Sequence, residues 1–343
     1  MRWHCERRIA LIRRTLVLAA AALVGTAAAA EAQTALKLVT QTAATANDAR
    51  KVVPTVVAEE IAKANVGLDV KIFYDNQLIA AAEMWRAVRD GTVDMAFVFL
   101  PAIARDVPEL GILGMPAALS GFADVDAMTQ SAANREIGAV LESKGALMLA
   151  GYWDALSIGS TGECIRRPVD LEGVVARGPG RPFEAVVEAA GAIPVPFASP
   201  EIPRALKTGA IDMVITTPAS MMLGDGYKFL KCVTDTRGLV PGMVQTSMLM
   251  SKGTFDRLNP QQQAAIRAAF QKGAAFMQAE VAKGSAAALD QMRAAGVKVV
   301  ALDAADLAVW RERAEPVALR SYAASSPAAA SILQATRQAL GRN

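Results

Sequence analysis

Histidine is almost missing from this sequence. Its 343 residues hold one His, at position 4, and three Cys, at positions 5, 164 and 232. His4 and Cys5 lie in the leader, so beyond residue 32 the chain has no histidine and two cysteines. That absence excludes Ser-His-Asp and Cys-His nucleophile systems and any His-based zinc site. Carboxylate, Lys or Tyr chemistry stays open, so the deficit disfavours an enzyme without ruling one out. A charge excess is missing too. The net charge of +3 comes from the first 32 residues, which carry five Arg against two Glu and leave 31 basic and 31 acidic residues behind them. With no basic surplus, neither nucleic acid nor anionic lipid is an expected partner. After the leader no stretch stays apolar for the ~20 residues of a membrane span. What is present is apolar material: 53% of residues are hydrophobic and 20% charged, enough for a large core. The length suggests two domains.

Residues 1–32 read as a signal peptide. A basic segment with Arg7, Arg8, Arg13 and Arg14 precedes an alanine-rich apolar run, and Ala30-Glu31-Ala32 offers small residues where signal peptidase reads. Cleavage is expected after Ala32, with no membrane insertion afterwards. In an oxidising compartment Cys164 and Cys232 become a possible disulfide, two buried free thiols being the alternative. Closing that loop would stabilise the fold by roughly 4 kcal/mol in the chain-entropy model.

Apolar spacing then gives two units of the same grammar. In the first, LKLVTQ is a strand, residues 48–64 a helix with Val52, Val53, Val56, Val57 and Ile61 at helical spacing, LDVKIFY a strand, residues 79–89 a helix closed at Gly91, and TVDMAFVFL a buried strand. About 118 residues on, GVVAR, a helix over 182–190, AIPVPFA, a helix over 201–207 with Ser199 as N-cap and Gly209 at its end, and AIDMVITT repeat the order. Strand, helix, strand, helix, strand implies a mostly parallel sheet flanked by helices, so the fold class is α/β with two lobes. Asp94 and Asp212 recur three residues after matching glycines, which marks a shared structural junction rather than an acid/base pair; no catalytic residue is assigned. From Pro260 to about residue 295 the sequence is helix-forming, with Asn259 as N-cap and Gly273 and Gly284 as weak points. At 1.5 Å per residue it would reach roughly 50 Å, long enough to span both lobes. Lobe one is expected to comprise 33–152 plus about 240–275, and lobe two 153–239 plus about 276–343.

Open parallel sheets bind ligands at the carboxyl ends of their strands. Those ends are Gln41 and Thr42, Phe97 to Phe99, Arg177 and Gly178, and Thr216 and Thr217. Arg177 closes a strand just before Gly178-Pro179-Gly180, where a guanidinium is well shaped for bidentate capture of a carboxylate; a structural ion pair is the other reading of that position. The Gly-Pro-Gly run lacks the third glycine of a dinucleotide motif and the Lys-Ser/Thr of a P-loop, so no nucleotide or other cofactor is expected, and no metal.

Residues 33 to about 320 resemble the solute-binding proteins of TRAP (tripartite ATP-independent periplasmic) transporters. The resemblance rests on Asn76-Gln77-Leu78 leading to GTVDMAF, on Pro168, Asp170, Leu171, Gly173 and Arg177 within RRPVDLEGVVARGPG, on RALKTGAID, and on RLNPQQQAAIRAAF. It implies a periplasmic binding protein fold with a long helix across both lobes, a periplasmic receptor that delivers a small organic carboxylate to membrane permease subunits, and Arg177 as the arginine that pairs with the ligand carboxylate. A monomer is the expected state. The chain departs from the family after Gly151, where Tyr152, Trp153 and Asp154 stand in place of a second arginine, and at Ile215-Thr216-Thr217-Pro218. With Phe97 and Phe99 opposite and Trp153 as an aromatic wall, the expected ligand is a monocarboxylate with an apolar or aromatic body. A tricarboxylate-type receptor and an exported two-lobed enzyme are the competing readings.

Overall fold

Apolar alternation and glycine punctuation resolve into two sheets connected by crossing segments. The computed structural model describes residues 33–42, 49–116, 118–119, 121–239 and 242–342. The expected signal peptide and Asp48, the first residue of the expected helix, lie outside them. The first repeat is β1 (Thr34–Val39), α1 (Ala49–Ala64), β2 (Leu68–Phe73), α2 (Met84–Arg89) and β3 (Met95–Phe99). A stretch of 3-10 turns and the helices α3 (Phe122–Gln130) and α4 (Ala132–Ser143) lead to β4 (Ala146–Ala155) and β5 (Ser157–Ser160). The second repeat is β6 (Val175–Arg177), α5 (Arg181–Ala189), β7 (Ile193–Pro194), α6 (Ile202–Thr208), β8 (Met213–Thr216) and the short α7 (Pro218–Met221). The chain continues with β9 (Cys232–Asp235), β10 (Met243–Ser251), α8 (Lys252–Arg257), α9 (Pro260–Ala294), β11 (Lys298–Ala301), α10 (Ala304–Ala323) and α11 (Pro327–Ala339).

The first sheet runs β2-β1-β3-β10-β4 and the second β11-β9-β5-β8-β6-β7. β1 is parallel to β3 and β6 to both β7 and β8, but β10 and β5 run antiparallel to their neighbours. These reversed strands belong to the crossings. β4 passes through Leu156 into β5, and β10 follows β9 in the chain. The crossings are tied together, since Leu156 N–H donates to the Gly242 carbonyl at 3.0 Å and the Thr236 hydroxyl to the Leu156 carbonyl.

The matched aspartates lengthen the two equivalent strand pairs. Asp94 N–H donates to the Lys37 carbonyl at 3.2 Å while its Oδ2 accepts from Lys37 N–H at 2.8 Å. Asp212 does the same with Val175, at 2.9 and 3.0 Å. Each side chain thus continues the parallel ladder one residue beyond its strand and satisfies a backbone donor that would otherwise lack a partner.

The third connection is α9. Its capping box is complete, with Gln262 N–H on Asn259 Oδ1 at 2.9 Å and Asn259 N–H on Gln262 Oε1 at 3.1 Å. Ile266, Ala269, Phe270 and Met277 pack with Leu36, Val57 and Met248 beside the first sheet, whereas Ala288, Leu289 and Met292 pack with Leu206, Val214 and Tyr227 beside the second. Gly273 is a close approach rather than a weak point. A Cβ there would sit 2.7 Å from Val57 and 3.3 Å from Met248.

Three expectations need correction. AIPVPFA pairs only at Ile193–Pro194, because Pro194 and Pro196 supply no ladder donor. Ser199 does not cap α6; a 3-10 turn intervenes, with Glu201 N–H on the Ala198 carbonyl and the Glu201 carboxylate on Ala198 N–H at 2.7 Å. Residues 276–343 do not all accompany the second sheet. α10 packs on α5, but α11 returns to α4, with Ser331 donating to Glu136 and Thr336 to Met128. The apolar stripe of α11, including Ala329 and Ile332, is buried there.

Candidate functional site: a cleft between strand ends

The loop before Arg177 is built by its own polar groups. Asp170 Oδ2 accepts from the N–H of Arg166 and of Arg167, both at 2.8 Å. Leu171 is fully buried and Gly173 takes φ 74°. Arg166 and Arg167 in turn close on Asp306 at the start of α10, through Nε bonds of 2.8 Å each. The Cys164–Cys232 disulfide is present, joining the chain after β5 to β9. All this fixes β6, whose last residue is Arg177.

Arg177 is 4% exposed. Its Nε donates to the Phe197 carbonyl at 3.0 Å and one Nη to the Ile215 carbonyl at 3.2 Å. Burial lowers its pKa to about 10, an effect that Glu184 and Glu201 only partly offset. Neither carboxylate pairs with it: Glu184 is engaged by Arg105 at 2.7 Å, and Glu201 by the Ala198 N–H. A buried guanidinium held by two neutral carbonyls retains much of its desolvation cost until an anion meets it.

The four predicted strand ends meet around this group. A cavity of about 260 Å³ is lined by Gln41, Thr42, Phe97, Phe99, Arg177, Thr216 and Thr217. An adjoining space of about 400 Å³ shares Gln41, Phe97, Phe99 and Arg177 and adds Gly178. Beside it, Gly180 takes φ 141°, and a Cβ there would lie 2.6 Å from the Pro101 carbonyl, so only glycine lets the loop after β6 approach the chain after β3.

Trp153 is not part of this cleft. Side chains on a strand alternate between faces, and on β4 the cavity-facing residues are Tyr152 and Asp154. Trp153 points the other way, 3% exposed, toward a groove of about 650 Å³ lined also by Met148, Gln245 and Gln278. Its backbone N–H and carbonyl both bond the Gln278 amide of α9.

Sequence reasoning missed four polar groups. Asp154 Oδ1 accepts from Ala155 N–H at 2.8 Å and from the Ser285 hydroxyl at 3.2 Å; burial raises its pKa to about 6, against the opposing charge of Arg50 and its own hydrogen bonds. Arg50 on α1 crosses to α7, donating to Ser220 Oγ at 2.8 Å and to the Ala219 carbonyl at 3.2 Å. Ser220 N–H caps onto Thr217 Oγ1 at 3.2 Å. Ser199, freed from capping, lines the cavity. For Arg50 a signal existed, because it precedes Val53, Pro54, Val57 and Ile61 at spacings that share their buried helical face.

Among the described residues no helix is long and apolar enough to cross a membrane, and no cluster of His, Cys, Asp or Glu could hold a metal ion. The arrangement suits capture of an anion by a buried cation.

Residues 47–325 match the pattern of DctP, the bacterial extracellular solute-binding protein family 7. A solute-binding protein of Albidiferax ferrireducens is 26% identical over 284 residues, 82% of this chain and 84% of that protein. The 2,3-diketo-L-gulonate-binding periplasmic protein YiaO of Escherichia coli is 28% identical over 239 residues, 68% of this chain and 71% of its own. The crystal structure of a TRAP periplasmic solute-binding protein from Rhodoferax ferrireducens, with bound malonate, is similar at a TM-score of 0.85 and 26% identity, over 89% of this chain and 98% of that one. The chain therefore belongs to the bacterial extracellular solute-binding proteins of family 7, the periplasmic receptors of TRAP transporters.

Proposed function

We propose that this receptor captures a small organic monocarboxylate with an apolar or aromatic body, closes around it and delivers it to TRAP permease subunits. The observation that carries this reading is Arg177, a buried guanidinium at the meeting point of four strand ends that is held by two carbonyls and, among the described residues, is paired with no carboxylate. Phe97 and Phe99 face it and supply the apolar wall, while Gln41, Thr42, Thr216 and Thr217 offer neutral hydrogen bonds. Gly178 lines the adjoining space, and a Cβ there would lie 2.8 Å from Phe183. The names of the relatives support an acid ligand, since malonate and 2,3-diketo-L-gulonate are both carboxylates.

Closure is a hinge motion of the kind two-lobed binding proteins use. Lobe one comprises residues from 33 to about 155, 243 to about 277, and α11; lobe two comprises 157–235 and the rest of α9 through α10. Leu156, residues 236–239 and the middle of α9 are the hinge segments. The receptor works as a soluble monomer after removal of residues 1–32, without a cofactor and without catalysis.

Thermal unfolding of the mature protein against monocarboxylates, dicarboxylates and neutral analogues tests this, because a ligand of the native state raises the midpoint by mass action. Shifts confined to carboxylates and abolished in Arg177→Ala are expected. Equal shifts with neutral analogues, or an undiminished shift in the variant, would overturn it.

A further inference from the structure

The cavity has a second charged end, and it carries the opposite sign. Asp154 and Arg177 both line it, one from the first sheet and one from the second. They stand on different sheets, Asp154 on β4 and Arg177 at the end of β6; the carboxylates that act on Arg177 are Glu184 and Glu201, and the cation that acts on Asp154 is Arg50. Asp154 Oδ1 is occupied by Ala155 N–H and Ser285 Oγ. Among the described residues no lysine or arginine closes on the carboxyl as an ion pair; Arg50 acts on it through its charge and donates to Ser220 and the Ala219 carbonyl among its partners. The Thr217 hydroxyl lies beside the carboxyl but also serves Ser220. The acid therefore keeps acceptor capacity that the protein uses only in part, directed into a space sized for a small ligand.

We infer that Asp154 is a specificity-determining residue: it accepts a hydrogen bond from an N–H or O–H at the end of the ligand remote from the carboxylate, so the receptor selects donor-bearing monocarboxylates and rejects dicarboxylates. The inference rests on the carboxylate-receptor reading above. Its logic is complementary polarity within the cleft. A donor opposite Asp154 uses the acceptor capacity that the protein leaves over, a methyl group leaves that capacity unused, and a second carboxylate meets a like charge. Phe97, Phe99 and Val244 provide the apolar middle. Among the described residues the other charged groups that line this cavity are Arg50 on α1, Asp75 and Arg177; α9 and α7 present Ser285 and Ser220, which do not titrate. Because burial raises the carboxyl to about 6, the acceptor is fully ionised only above that pH, and preference for cationic donors declines as pH falls through it.

The test is calorimetric titration of the refolded, ligand-free mature protein with pentanoate, 4-hydroxybutyrate, 4-aminobutyrate and glutarate, which share a three-methylene spacer and differ at the far end. The matching para-substituted phenylacetates supply a second spacer. At pH 7.5 the hydroxyl- and amino-ended acids are expected to bind at least tenfold tighter than the methyl-ended acid, with the diacid weakest. Asp154→Leu should bring the donor-to-methyl ratio within threefold. Asp154→Asn, which preserves the shape should the leucine variant fail to fold, should relax rejection of the diacid and remove the pH dependence near 6. Equal binding of donor- and methyl-ended acids, or ratios unchanged in the Asp154 variants, overturns this inference while leaving the receptor reading intact. Failure of every carboxylate in both series removes that reading and this inference together.

Discussion

Both sheets carry the same parallel strand pair in the same register, Leu38 beside Met95 and Ala176 beside Met213, and in each an aspartate extends the ladder by one residue. At the other end of those strands the likeness stops. The first sheet ends in Gln41, Phe97 and Phe99, the second in Arg177, Thr216 and Thr217. Backbone hydrogen bonding imposes the same requirement at both ladder starts, so the same residue answers it. The carboxyl ends line the cavity, and there the two sheets differ. The repeat thus separates residues that build the fold from residues proposed to read the ligand.

The comparison can be broken most sharply at Arg177. Arg177→Ala should weaken a bound carboxylate by about 2–5 kcal/mol, which is thirtyfold or more, while the empty protein unfolds at or above the wild-type midpoint because a buried unpaired cation is gone. Titration calorimetry paired with thermal unfolding reads both effects. Beyond its effect on ligand choice, Asp154→Asn should change stability and its pH dependence. A carboxyl raised to about 6 when folded holds its proton more tightly than in the unfolded chain. Its favourable contribution is therefore present at low pH and is lost as pH rises from about 4 through 6. The variant lacks that loss and should be more stable at pH 7.5 by roughly 2 kcal/mol, with a flatter profile in denaturant unfolding between pH 4 and 8.

Phe99→Ala should weaken an apolar carboxylate by about 1–2 kcal/mol through lost contact area and leave the carboxylate preference unchanged in the same titrations. The smallest effects belong to the matched pair. Asp94→Ala and Asp212→Ala should each lower stability by about 1 kcal/mol, Asp94 somewhat more because it also accepts from Thr254 at 2.7 Å. Neither should change affinity. A large affinity loss in either would show that the ladder starts and the ligand ends are not independent.

Most of the framework was readable from local signals. Gly91 and Gly209 close their helices in the left-handed region, Asn259 begins α9 with its capping box, and the two repeats fold as equivalent strand pairs. What could not be read locally depended on phase. In Tyr152-Trp153-Asp154 the larger aromatic suggests a ligand wall, but β4 pairs with β10 so that Gln245 lies opposite Trp153 and Thr246 opposite Tyr152. Only that register decides which face meets the cavity, and it depends on a strand almost 100 residues away. The return of α11 to α4 was invisible for a similar reason, since its apolar stripe does not name the surface that covers it. Arg50 was the opposite case: its position on the buried stripe of α1 was legible, and only its partner on α7 required the structure.

The central claim is that Arg177 is held ready for a carboxylate. Titrating the ligand-free receptor with matched monocarboxylates and their uncharged amides, in wild type and in Arg177→Ala, tests it most directly. The account predicts binding by the acids alone and its loss, by thirtyfold or more, in a variant that remains folded. Amides binding as tightly as acids, or a variant with wild-type affinity, would contradict it.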